Sequence, residues 1–71
     1  MWTGRTFRLR GKLRAITSAG TIEYIAAGTV VLVATEKVMH LVTVLDQDKR
    51  LIAFADDLEK CAEDLDSKRG N

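Results

Sequence analysis

Apolar and polar residues alternate strictly from Phe7 to Ala15, with Phe7, Leu9, Gly11, Leu13 and Ala15 on one side and Arg8, Arg10, Lys12 and Arg14 on the other. Period two predicts a strand with one buried face. Gly11 in its middle predicts a bulge or sharp bend, as small barrels need where a strand turns a corner. Thr17, Ser18, Ala19, Gly20 and Thr21 supply turn chemistry, with Gly20 available for a positive φ. Ile22, Tyr24 and Ala26 then alternate with Glu23 in a short second strand. The longest apolar run spans residues 25–34, where Gly28 precedes Val30, Val31, Leu32 and Val33. Cβ branching favours a pleated strand, and a run apolar on both sides predicts burial of both faces.

Residues 35–40 read as a loop with Val38 and Met39 tucked beneath it. Residues 41–45 and 51–55 follow as two strands flanking a polar turn, Asp46, Gln47, Asp48, Lys49 and Arg50. With Leu45 opposite Leu51, one face carries Leu41, Thr43, Leu45, Leu51, Ala53 and Ala55. The other carries Val42, Val44, Ile52 and Phe54, so both faces are largely apolar. From Asp56 the period changes: Leu58, Cys61, Ala62 and Leu65 fall at i, i+3, i+4 and i+7, an amphipathic helix. Asp56 is its expected N-cap, with Glu59 three residues later, and Lys68, Arg69 and Gly70 fit a C-terminus. Its length is open between three turns and a single 3₁₀ turn followed by a frayed tail.

These elements describe one small, mainly β domain: strands over about residues 5–58 and a helical or frayed segment over about 56–69. At 71 residues it should bury only about 60% of its unfolded surface. A core this small seldom contributes more than about 3–5 kcal/mol without a staple. Cys61 is the single cysteine and His40 the single histidine, so neither an internal disulfide nor a zinc site of three or four N/S ligands is available within one chain. Self-association is the remaining staple. Residues 1–5 hold no long apolar segment and no run is long enough to span a bilayer, so the expected compartment is the cytoplasm.

The net charge of +1 conceals an asymmetry: five bases against one acid in residues 1–35, and six bases against nine acids in residues 36–71. The halves can attract each other within one fold, across a dimer, or each steer a charged partner. Arg8, Arg10, Lys12 and Arg14 form a candidate site for nucleic acid or another anion, with successive side chains about 7 Å apart. Stacking aromatics are few, since only Trp2, Phe7, Tyr24 and Phe54 are present and Phe7 and Phe54 read as core. A solvated face, or a match to the acidic C-terminal segment, explains the same pattern.

Other chemistry has little support. His40 has no Ser, Cys or carboxylate at a diagnostic spacing and reads as a solvated loop residue. Cys61 falls on the apolar stripe with Leu58 and Leu65 and reads as a small buried hydrophobe rather than a nucleophile. Asp46 and Asp48 lack the glycine and terminal glutamate of a calcium loop.

The basic alternating strand, Tyr24-Ile25-Ala26-Ala27-Gly28-Thr29 entering an apolar strand, the strand at 41–45, and Ile52-Ala53-Phe54-Ala55-Asp56-Asp57-Leu58 together resemble small bacterial SH3-like barrel proteins. The resemblance covers roughly residues 7–58. Ala26 stands where many such sequences have Pro, and the acidic C-terminal segment is longer. It implies a five-stranded, strongly bent sheet closed into a small SH3-like barrel with a short C-terminal helix, and no activity. SH3-like barrels include the plasmid-encoded type II dihydrofolate reductases, but Leu51-Ile52-Ala53-Phe54 lacks the glutamine and tyrosine of their active-site strand.

The expected function is a non-enzymatic interaction module without cofactor, forming a homodimer or larger homo-oligomer, or binding another protein. Its interface would use Leu41, Leu45, Leu51, Leu58 and Leu65, because a contiguous apolar patch needs a cover. The competing reading is a nucleic-acid-binding barrel using Arg8, Arg10, Lys12 and Arg14.

Overall fold

The computed structural model of the chain describes residues 1–66. Among these residues seven strands, all antiparallel, form one sheet: β1 (Thr6–Leu9), β2 (Leu13–Ile16), β3 (Ile22–Ile25), β4 (Val30–Val33), β5 (Leu41–Asp46), β6 (Lys49–Phe54) and β7 (Ala62–Asp64), with one helix, α1 (Ala55–Cys61), between the last two. Their order across the sheet is β3-β2-β6-β5-β4-β1-β7. β3 and β7 are its two ends and are not paired with each other, so the sheet is open where a closed five-stranded barrel was expected.

The count rises from five to seven for two local reasons. The alternating segment does not remain one strand: Arg10, Gly11 and Lys12 break it into β1 and β2, which lie at opposite sides of the sheet. Four residue steps from Leu9 to Leu13 reach at most about 14 Å. The sheet must therefore curl until its two sides approach that corner. The corner is fastened to the helix, as the Arg10 and Gly11 amides both donate to the Cys61 carbonyl. β7 is the second addition, because the chain leaves the helix at Ala62 in extended conformation and pairs with β1.

One face of the curled sheet holds the core. Phe7, Leu9, Leu13, Ala15, Ile25, Val31, Val33, Val42, Val44, Leu51 and Ala53 alternate into it, and Ala55 and Leu58 of α1 with Ala62 cover it. Val30 and Leu32 point the other way and are 47% and 39% exposed, so the apolar run of β4 is buried on one face, not both. Gly20 makes the β2–β3 turn at φ 86° and Gly28 the bend before β4 at φ 90°, values that only glycine adopts freely.

The β5–β6 hairpin differs from its expected register by one residue. Leu45 pairs with Arg50 and Asp46 with Lys49, so the loop is the two residues Gln47 and Asp48, with Gln47 at φ 59°. Because side chains alternate, this shift exchanges the faces of an entire strand. Leu51 and Ala53 join Val42 and Val44 in the core, while Leu41, Thr43 and Leu45 share the outer face with Ile52 and Phe54.

The helix is two turns long, between the three turns and the single 3₁₀ turn that the sequence left open. Strand β6 runs straight into it, so Phe54 occupies the N-cap without a side-chain hydrogen bond, and Asp56 and Asp57 fall in the first turn. The expected Asp56 cap is unnecessary for Ala55, whose amide donates to the His40 carbonyl at 2.7 Å. Past Cys61, Glu63 faces Arg8 and Asp64 pairs with Arg5, drawing the chain into the sheet and off the helical period that Ala62 and Leu65 suggested. Lys68, Arg69 and Gly70 lie outside the described residues.

Candidate functional site

The outer face of the sheet can be built row by row from the strand register. In one row Ile22, Ile16, Ile52 and Thr43 lie side by side across β3, β2, β6 and β5. In the next, Arg50, Leu45, Leu32 and Thr6 cross β6, β5, β4 and β1. Beyond it Val30 faces Arg8, which faces Glu63. On the other side of the isoleucine row, Tyr24 and Arg14 are paired, as are Phe54 and Leu41. Ile22 on the edge strand is 62% exposed and Ile52 on β6 37%, so aliphatic side chains, with Thr43 and the exposed Arg50 among them, make up much of this face.

A groove of about 330 Å³ continues the isoleucine row, with Thr35, Val38, Met39, Leu41, Thr43 and Ile52 among its lining residues. Its wall is a tight turn in which Val38 and Leu41 exchange two backbone hydrogen bonds of 2.9 Å. Met39 and His40 between them take φ of 51° and 74°, the left-handed region that side chains with a Cβ adopt at a cost. Val38 and Met39 were expected to tuck under this loop; they are 65% and 86% exposed. The hairpin alternates apolar residues onto both faces, but only one face has a core to enter, so the turn presents them outward.

The expected interface residues separate accordingly. Leu41 and Leu45 lie on the outer face and are partly exposed, whereas Leu51 and Leu58 are 2% and 0% exposed in the chain's own core. Leu65 follows β7 in a bend, where its amide donates to the Thr6 carbonyl. Sequence reasoning missed Ile16, Ile22, Leu32 and Ile52 as surface residues, because their side of the sheet depends on the register and on the sheet having only one cover.

The four basic residues also separate, because the corner at Arg10–Gly11–Lys12 removes the single ladder. Arg8 lies 3.6 Å from Glu63 on the outer face. Arg10 lines a groove of about 460 Å³ with Arg5, Phe7, Glu59, Glu63 and Asp64. Lys12 and Arg14 line a second cleft of about 270 Å³ with Leu13, Tyr24, Asp57 and Cys61. There the Lys12 ammonium sits 4.8 Å from the Tyr24 ring centroid, and the Arg14 guanidinium 5.4 Å from that of Phe54. Much of the charge asymmetry is resolved within the chain. The Arg5 guanidinium lies against the stacked Trp2 and Phe7 rings, 4.6 and 5.0 Å from their centroids, while its Nε donates to Asp64 at 3.1 Å, and the Thr6 amide donates to Asp66.

The N-terminal residues are held by Glu36, which accepts hydrogen bonds from the Trp2 and Thr3 amides at 3.0 and 2.8 Å. The Thr3 hydroxyl, then the Thr3 and Trp2 amides, lower its pKa from 4.5 to about 2. Among the described residues no three His, Cys, Asp or Glu side chains are placed to hold a metal ion, and no helix is long and apolar enough to cross a membrane. Compared with protein-family models, with curated proteins and with solved structures, the chain matches none.

Proposed function

We propose that this chain is a non-enzymatic interaction module that self-associates through the outer face of its sheet, in the cytoplasm. The observation that carries the reading is the pair of aliphatic rows, Ile22–Ile16–Ile52 and Leu45–Leu32, bordered by the exposed Val30, Val38 and Met39. Clustered exposed aliphatic residues on a soluble protein mark an interface, and an apolar sheet face is normally covered by another layer about 10 Å away. A second copy is the occupant that also answers the thin core, in which Ala15, Ala53, Ala55 and Ala62 contribute little volume and the single cysteine allows no internal disulfide. Two such faces packed about a two-fold axis form an isologous interface. The break at Gly11 and the helical turn after β6 favour a bent, SH3-like strand order as the scaffold.

Light scattering on the full chain and on a Leu32→Asp, Ile52→Asp variant tests this. Both positions are surface positions in the monomer, so the variant should keep its circular dichroism while its mass falls from that of a dimer or larger assembly to that of one chain. A full chain that stays monomeric at hundreds of micromolar would overturn the reading.

A further inference from the structure

Lys12, Arg14 and Tyr24 form a local arrangement that the self-association reading does not use. Arg5, Arg8 and Lys49 each have a carboxylate partner, but Lys12 and Arg14 have none within ion-pair distance among the described residues. Lys12 at the end of the corner and Arg14 in β2 line one cleft, so two cations without an ion-pair partner share it, with the Asp57 carboxylate in its wall. Tyr24 is the cross-strand partner of Arg14 and remains 57% exposed on the edge strand of the sheet. The Lys12 ammonium lies 4.8 Å from the Tyr24 ring centroid and the Arg14 guanidinium 5.4 Å from that of Phe54, so a base stacks on Tyr24 by taking the other face or by displacing Lys12, and its flanking phosphates then meet both cations. The cleft is floored by the buried Leu13, and Asp57 and Cys61, four residues apart on α1, form its helical wall.

We infer that this cleft binds a nucleotide unit of a single strand, with the base on Tyr24 and the phosphates on Lys12 and Arg14. A duplex would not fit the chemistry, since its bases are already stacked and unavailable to the ring. Arg8, the first basic residue of the alternating segment, is outside the site because it lies on the far side of the corner and faces Glu63.

The test is an anisotropy titration of a fluorescein-labelled single-stranded hexanucleotide of mixed sequence. Two phosphate contacts imply a dissociation constant about sevenfold higher at 200 mM than at 50 mM salt, from a slope near −0.7 per contact. Tyr24→Ala should weaken binding about tenfold and Tyr24→Phe should not, because the ring and not the hydroxyl stacks. Lys12→Ala and Arg14→Ala should each weaken it, whereas Arg8→Ala should leave it unchanged. Cys61, half-buried and not the fully buried hydrophobe expected, lines the same cleft, so bound strand should slow its reaction with a thiol reagent. Protection by the hexanucleotide alone supports a strand as the source of the unit, and equal protection by adenosine monophosphate overturns the strand in favour of a free nucleotide. The inference is overturned by absent binding at 50 mM salt, by wild-type affinity in a folded Tyr24→Ala variant, or by equal losses in Arg8→Ala and Arg14→Ala. The last pattern is that of a diffuse polyanion effect.

Discussion

Met39 and His40 hold left-handed backbone conformations without glycine or asparagine, and replacing them with Asn and Gly should stabilise the fold. A left-handed residue with a Cβ costs about 1–2 kcal/mol, so the pair stores about 2–4 kcal/mol. Asparagine tolerates the conformation better, and glycine removes the clash but returns about 0.5–1 kcal/mol through its greater freedom in the unfolded chain. The net gain should be about 1–2 kcal/mol. Little packing is lost on the other side, because Met39 is 86% exposed and His40 acts through its backbone carbonyl, which the variant keeps for Ala55. In a domain of this size even 1 kcal/mol raises the melting temperature by about 4–8 °C. The assay is thermal unfolding by circular dichroism, made on the monomeric Leu32→Asp, Ile52→Asp background so that dissociation does not mask the gain. In the wild-type background the same change should weaken self-association, since Met39 walls the groove that continues the isoleucine row. An unchanged or lower melting temperature on the monomeric background would refute the strain argument. Undiminished association would remove the turn from the interface.

Two further expectations follow from particular contacts. Leu51→Asp should fail to fold, because it places an unpaired charge in the core, while Ile52→Asp should fold with circular dichroism like the wild type; the reverse order would mean that the hairpin register is the one with Leu45 opposite Leu51. Glu36 has its pKa lowered on folding, so its contribution is complete above about 4.5 and is lost as pH falls through about 2. Trp2 fluorescence should therefore report release of the N-terminal residues in acid, and Glu36→Gln should show the same signal at neutral pH; identical spectra for the two proteins at pH 7 would deny Glu36 that role.

Local pattern was a sound guide to strands wherever alternation met a single core. Phe7, Leu9, Leu13 and Ala15 enter it as their period requires, Gly20 makes its turn, and residues 22–25, 30–33, 41–46 and 49–54 pair as strands. Alternation itself is a property of neighbouring residues and is written into the chain. Three things were not. The hairpin register turned on Gln47 accepting a positive φ, which no residue type announced. The length of the helix turned on Glu63 and Asp64 finding Arg8 and Arg5 across more than fifty residues of chain, a long-range pairing that outweighs helical periodicity. The basic ladder was divided by a corner whose sharpness depends on where β1 and β2 sit in the sheet, so four bases that share one face of an isolated strand serve three separate environments. The sequence alone determined which residues alternate and that the core would be small; only the tertiary structure decided which apolar residues remain outside it, because a sheet with one covered face can bury only half of what its strands carry.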